Sequence, residues 1–295
     1  MFVITGITGQ VGGVIARLLL SKNHEVRAVV RSVKKGQYWA SQGCDVAIAE
    51  MNDAVALSKA FTNVEGVFIL LPPNFDPSAG FPESREIITA LRIALEETRP
   101  QKVVCLSTIG AQATQPNLLT QLGIMEDVLG TLPLPTAFIR AAWFIENAAW
   151  DIPSAQEQGE IPSFLQPLDR AIPMVATADV GCTAAALLQE TWSGKRIIEL
   201  RGPESISPNQ LAASFTRLLG RKVKAYAVPR YDWNALFLAQ GMQNPLPRIQ
   251  MLDGFNAGWI TFSGSQTEQR VGILGLEAVL STLIKKHFSE QPEIL

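Results

Sequence analysis

Apolar runs of strand length alternate with longer amphipathic stretches through the first half of the chain. The short runs are residues 2–5, 25–30, 45–49, 66–71, 102–106 and 135–140. Between them, residues 11–22, 53–61, 83–97 and 117–129 carry helical spacing, clearest in the stripe Ile87, Ile88, Leu91 and Leu95. Strands that alternate with helices bury both faces of a parallel sheet, because each crossover lays a helix on it. The pattern therefore predicts an α/β fold, a Rossmann-type doubly wound parallel sheet.

Beyond Trp150 the regularity weakens, and Pro153, Gly159, Pro162 and Pro167 interrupt the chain. Thr177-Ala178-Asp179 reads as the cap of a helix that runs to Leu188. Ser207 caps another, with Pro208 in its first turn and Leu219 at its end. Residues 197–200 and 223–228 have strand character. Tyr231, Trp233, Phe237, Met242, Phe255 and Trp259 concentrate bulk in this part, which burial preference assigns to a core ahead of a substrate cage.

Candidate chemistry begins at residue 6. Gly6, Gly9 and Gly12 follow the first strand at G-x-x-G-x-x-G spacing and open the first helix, with Thr8, Gln10 and Val11 filling the turn. In that context Gly6 permits the tight turn, Gly9 lets backbone N–H groups approach a pyrophosphate, and Gly12 lets the helix pack closely on the strand. The alternative is a structural turn without a ligand. At the end of the second strand stands Arg31, where NAD binders place a carboxylate for the ribose hydroxyls and NADP binders a cation for the 2′-phosphate. Lys34 and Lys35 add charge nearby, so the expected cofactor is NADP(H) in preference to NAD(H), against the plainer reading of a solvated basic turn.

Ligands of such sheets bind beyond the carboxyl ends of the strands, which brings Leu70, Leu71 and Pro72 near the cofactor. Ser107 and Thr108 offer hydroxyls at another strand end, suited to a nicotinamide or a substrate, or else bonded only to their own backbone. Together with Asn147 they are the candidates for positioning an acceptor. Arg140, also at a strand end, is a candidate buried ion-pair partner. The organisation these features predict is an NAD(P)-binding domain over residues 1–150 and a smaller C-terminal α/β lobe over 151–295 that holds substrate or partner, with segments returning to the main sheet.

Composition narrows the partners. The 295 residues are 47% hydrophobic and 18% charged with a net charge of −2, enough for a sizeable core. No basic run is longer than Lys34-Lys35, so nucleic acid is not expected. Neither is a membrane, since no apolar run reaches the ~18 residues a span needs. The N-terminus lacks a basic leader, which points to the cytoplasm. Cys44, Cys105 and Cys182 with His24 and His287 have no metal-site spacing. A monomer or homodimer is expected.

The chain resembles the NmrA-like group of atypical short-chain dehydrogenases/reductases, with quinone oxidoreductase type 2 and isoflavone reductase-like relatives. The likeness rests on Gly6-Ile-Thr-Gly9-Gln-Val-Gly12, Val30-Arg31, Leu106-Ser107-Thr108, Leu134-Pro-Thr-Ala-Phe-Ile-Arg140, Trp143-Phe-Ile-Glu-Asn147 and Pro173-Met-Val-Ala-Thr-Ala-Asp-Val180. It implies an NADP-binding Rossmann domain, a smaller lobe, and a cleft for a quinone, an enone or a regulatory contact. The sequence departs from the wider family in its acids. Four residues after Tyr38, Tyr226 and Tyr231 come Gln42, Arg230 and Ala235, so no Tyr-x-x-x-Lys pair exists. No lysine occurs between Lys102 and Lys195, and Gln121, Leu122, Gly123 and Glu126 occupy the helix where isoflavone reductase-like proteins carry one. Two functions fit. One is an NADPH-dependent oxidoreductase passing hydride to a quinone, azo compound or activated enone, acceptors that need little acid from the protein. The other is a non-catalytic NADP-binding redox sensor that signals to a protein partner.

Overall fold

The computed structural model describes residues 1–290. Its strands are β1 (Phe2–Ile4), β2 (Val26–Val30), β3 (Asp45–Ile48), β4 (Gly66–Leu70), β5 (Lys102–Thr108), β6 (Thr136–Ala141), β7 (Trp143–Phe144), β8 (Glu160–Ser163), β9 (Ile172–Val175), β10 (Lys195–Arg201), β11 (Ser205–Ile206), β12 (Lys224–Ala227) and β13 (Glu268–Val271). The helices are α1 (Gln10–Ser21), α2 (Val33–Ser41), α3 (Ala54–Phe61), α4 (Pro82–Thr98), α5 (Thr120–Leu129), α6 (Ile152–Glu157), α7 (Thr177–Gln189), α8 (Pro208–Leu219), α9 (Trp233–Ala239), α10 (Leu246–Ala257) and α11 (Leu276–Glu290). The main sheet runs β13-β10-β6-β5-β4-β1-β2-β3 and every pairing in it is parallel. It is the doubly wound sheet that the alternating pattern predicts.

Alternate residues of each strand feed opposite layers. Phe2 and Ile4 join Ile15, Leu19, Trp39, Val180 and Leu187 under α1, α2 and α7, whereas Val3 joins Leu57, Phe61, Leu91 and Met125 under α3, α4 and α5. Helices α1 and α7 meet at Gly181, where a Cβ would stand 2.6 Å from that of Val14. Strands β10 and β13, both from beyond residue 151, extend the sheet past β6.

Three local readings need correction. Helix α2 was absent from the predicted elements because it buries little more than Gly36 and Trp39, leaving no apolar stripe to detect. Ser107 and Thr108 lie inside β5, not in a turn after it. The start of α7 has no side-chain cap. Its N-cap is Ala176, and Asp179 instead uses its buried carboxylate to accept from the Leu274 N–H at 3.0 Å. By contrast, Ser207 and Gln210 form a reciprocal capping box on α8.

Past β6, small sheets β11-β9-β7 and β12-β8 accompany the remaining helices. Trp233, Phe237, Ile249, Leu252 and Phe255 make a core there together with Ile109 and Leu118, residues of the loop after β5. The aromatic residues are thus mainly core, with Tyr231 at 83% exposure the exception. This region is seated on the loops leaving the main sheet. The Asp76 carboxylate accepts from the N–H groups of Gln243 at 2.7 Å and Asn244 at 2.6 Å, and the Leu118 N–H donates to the Pro247 carbonyl at 2.9 Å.

A buried ionic chain spans the neighbouring strands β6 and β10. Arg140 on β6 pairs with Glu126 of α5 at 2.6 Å and approaches Glu199 of β10 at 4.0 Å. Glu199 is wholly buried and accepts from the Ser263 N–H and hydroxyl, the Gly264 N–H and the Gln269 side chain. Arg140 therefore is the buried ion-pair partner its position suggested. Glu126→Ala leaves that guanidinium without its nearer carboxylate, and a loss of about 3–5 kcal/mol is expected in denaturant unfolding. Loss below about 1 kcal/mol would mean that Glu199 alone suffices.

Asp151 ends the short 3₁₀ turn Ile145–Asp151 that leads into α6, and no hydrogen bond or ion pair satisfies it among the described residues. Burial pushes its carboxyl from 3.8 up to about 7. The folded state then holds a proton that the unfolded chain releases, so stability falls as pH rises from about 4 through 7. Asp151→Asn should match wild type at about pH 4 and exceed it above pH 7 in melting experiments; parallel pH profiles for the two proteins would refute this.

Candidate functional site

The strand order β3-β2-β1-β4-β5-β6 reverses direction between β1 and β4, and the carboxyl ends there open a crevice. Thr5 ties the two strands together at this point. Its N–H donates to the Phe68 carbonyl at 3.1 Å, and its hydroxyl accepts from the Leu70 N–H at 2.9 Å. The chain then turns at Gly6, whose φ of +62° suits glycine and whose missing side chain would meet Leu70 Cβ at 3.2 Å. The Gly9 N–H closes the turn on the Gly6 carbonyl at 3.0 Å.

Helix α1 starts immediately after, with Gly9 as an N-cap that offers no side chain and with no acid in the first turn. Its first N–H groups therefore lack the usual partners and face a position where an anion is favoured. Thr8, Gly9 and Gln10 are exposed at the tip, while the Val11 side chain is buried, leaving that residue only its backbone to offer. At Gly12 a Cβ would stand 2.8 Å from both the Gly6 carbonyl carbon and Ile7 Cα. Glycine is required there for the helix to seat on the turn. The spacing that the sequence displays is thus matched by a cradle that side chains would fill.

Beside the turn, between α1 and α2, lies a cleft of about 450 Å³ lined by Thr8, Gly9, Arg17, Lys34, Lys35 and Tyr38 among others. None of its cations makes an ion pair among the described residues, and neither does Arg31, exposed at the end of β2. Uncompensated positive charge therefore gathers beside the glycine turn. The sequence reading passed over Arg17. It stands one turn after Gly13 on α1 and reaches back to it, since long helical side chains lean toward the N-terminus.

The strand-end candidates divide. Leu70 packs beneath Gly6, Leu71 is buried and Pro72 half-buried, all at the crevice. Ser107 is buried and its hydroxyl donates to Glu126 at 2.5 Å, joining the ionic chain. Thr108 is half-buried and bonds the carbonyl of Ile109 at 3.2 Å, as the local alternative predicted for it. Asn147 is exposed on the 3₁₀ turn. Gln121 is buried and fully engaged, accepting from Ser84 at 2.5 Å and donating to the carbonyls of Asn74 and Leu118 at 3.0 Å.

A further group near the glycine turn was not predicted. One oxygen of Glu146 accepts from the Thr177 N–H at 2.9 Å and its hydroxyl at 2.6 Å, and that hydroxyl lies 2.9 Å from the Gln10 side chain. A hydroxyl has one proton; given to the carboxylate, it leaves the Gln10 amide, suitably turned, to donate to the hydroxyl. The other oxygen, Glu146 Oε2, is buried and has no hydrogen-bond partner among the described residues. An unsatisfied buried acceptor costs about 1–3 kcal/mol and is relieved by any donor that reaches it. The sequence signal was only adjacency to Asn147 within the Trp143–Asn147 motif.

The profile of the NAD(P)H-binding family matches residues 6–160, more than half of the chain. This chain belongs to that family. Across 249 residues it is 27% identical to quinone oxidoreductase 2 of Escherichia coli strain K12, covering 83% of this chain and 84% of that protein. It is also 22% identical over 248 residues to the NAD(P)H azoreductase of Xenophilus azovorans, covering 83% of each. Its fold matches that of an E. coli NADPH-dependent quinone oxidoreductase solved with NADPH, with a TM-score of 0.72 and 24% identity over 97% of this chain and 95% of the other. The kinship of the chain is with oxidoreductases.

Titrations followed by tryptophan fluorescence test the site. Gly9→Val should weaken NADPH and NADH binding alike, about tenfold or more, because a side chain there holds a pyrophosphate away from the turn; unchanged affinity would place the site elsewhere. Arg31→Ala should weaken NADPH about tenfold and NADH little, since one charge-assisted contact is lost; equal losses would remove Arg31 from phosphate recognition.

Proposed function

We propose that the protein is an NADPH-dependent oxidoreductase that reduces an easily reduced acceptor such as a quinone, an azo compound or an activated enone. The observation that carries this reading is the glycine cradle at the sheet's switch point with unpaired cations beside it. Arg31, Lys34 and Lys35, joined by Arg17, favour the extra phosphate of NADP(H) over NAD(H). Thr8, Gly9, Gln10 and Val11 present backbone donors to the pyrophosphate, and Leu70, Leu71 and Pro72 line the path toward the reacting ring. Glu146 Oε2 suits the carboxamide N–H of a nicotinamide, which would satisfy an otherwise stranded oxygen.

The bound cofactor supplies the hydride. The chain's own contribution is placement and exclusion of water, with Thr108 and Asn147 at the acceptor and Ser107 holding the strand end beneath them. No side chain need deliver a proton, because the reduced quinone or hydrazine oxygen or nitrogen is basic enough to take one from solvent. The commitment of Gln121 and Glu126 to structural bonds agrees with a reaction that dispenses with protein acid. The same observation favours a second reading, an NADP-binding redox sensor acting on a protein partner.

Absorbance at the nicotinamide band separates the two. Quinone-dependent oxidation of NADPH, preferred over NADH, is the expected outcome; tight binding without turnover across quinones, azo dyes and enones would transfer the conclusion to the sensor.

A further inference from the structure

Arg248 is a cation without an anion. Its guanidinium lies 4.4 Å from the centroid of the Phe237 ring and its Nη1 3.7 Å from Met242 Sδ, and it has no carboxylate partner among the described residues. Half-buried, it is desolvated enough for burial to pull its pKa below the usual arginine value. The other arginines withdrawn from water are compensated: Arg140 by Glu126, and Arg196 by Glu190 and Glu268. A charge partly withdrawn from water beside an aromatic face and a thioether loses hydration that a paired anion would replace.

Its location indicates what that is. Residues 242–248 form a wall against the loops that leave β4 and β5, fastened by Asp76 to Gln243 and Asn244 and by Leu118 to Pro247. Those loops leave the carboxyl ends of the strands, where ligands of this fold bind. Two helical turns along α10 from Arg248, Phe255 meets Trp143 edge-on at 5.2 Å, just past the end of β6. Asp76, the acid on the facing loop after β4, is committed to two backbone amides and makes no ion pair with Arg248.

We propose that Arg248 recognises an anionic substituent, a carboxylate, sulfonate or phosphate, on an aromatic acceptor seated between this wall and the strand ends. The inference rests on the oxidoreductase reading for the word acceptor, though the anion site itself does not. A planar guanidinium lying on an aromatic ring keeps its edge free for bidentate contact with such a group. Neutral quinones would be reduced without drawing on Arg248, and acidic ones would gain affinity.

The test compares naphthoquinone with its sulfonate for wild type, Arg248→Gln and Arg248→Lys. The glutamine variant should lose about tenfold or more in kcat/KM for the sulfonate and less than about twofold for the neutral quinone, with the lysine variant between. For wild type, the preference for the sulfonate should shrink as salt is raised. Equal losses on both quinones, or a wild-type preference indifferent to salt, would assign Arg248 to lobe packing and overturn the proposal. A second arm needs no turnover: calorimetric titration of the NADP⁺-loaded protein with naphthalene sulfonate. Binding weakened about tenfold in Arg248→Gln sustains the anion site even if no quinone is reduced, in which case only the oxidoreductase reading falls. Equal binding in both proteins removes the site whatever the turnover.

Discussion

A guanidinium buried between two carboxylates governs half of this architecture. Arg140 joins Glu126 on one side and Glu199 on the other, and through them it links α5, β5, β6, β10 and the segment before β13. Such an arrangement tolerates no partial version, because each member left alone is an uncompensated charge in a dry interior. It reinforces the parallel ladder of β6 with β10, in which Arg140 and Glu199 are register partners, and so helps hold strands from beyond residue 151 in the same layer as the glycine turn.

The same network decides what the crevice can do. At the end of β5 the Ser107 hydroxyl donates to Glu126, and that carboxylate also takes the Arg140 guanidinium, so both are drawn into the fold's ionic chain. Gln121 does likewise, holding α4, α5 and the loop at Asn74 together. What stays available around the opening is a set of cations, backbone donors, and the free oxygen of Glu146. Those groups bind and orient. Chemistry in which the cofactor does the hard step suits such a site better than carbonyl reduction that relies on a protein proton.

Features set by local sterics were legible in the sequence. The glycine turn is one, because a positive φ at Gly6 and a close approach at Gly12 are demands that only one residue type meets. The Ser207 cap with Pro208 in the first turn of α8 is another, since the groups involved lie within four residues of each other. What escaped were residues whose roles depend on distant segments. Helix α2 shows no stripe because the sheet covers it at so few positions. Asp179 looks like a cap until Leu274 arrives to claim its carboxylate. Glu146 and Arg17 look like surface charges, and only the return of Thr177 to Gln10, or the lean of a side chain back along α1, sets them at the site. Arg140 is the intermediate case: a strand-end arginine in an apolar run must have a partner, although the sequence could not say which.

The wall against the loops that leave β4 and β5 is assembled from parts that neither half of the chain provides alone. Loops leaving β4 and β5 have little structure of their own, and they are held by Asp76, Leu118 and Gln112 against residues 243–261. The aromatic core lies behind that wall, and the half-buried Arg248 guanidinium set into it rests against the Phe237 ring. Preorganised charge of this kind discriminates among ligands more than it accelerates them. The glycine turn is thus set by the sterics of its own backbone, whereas the wall against the β4 and β5 loops depends on side chains and backbone groups brought together from both halves of the chain.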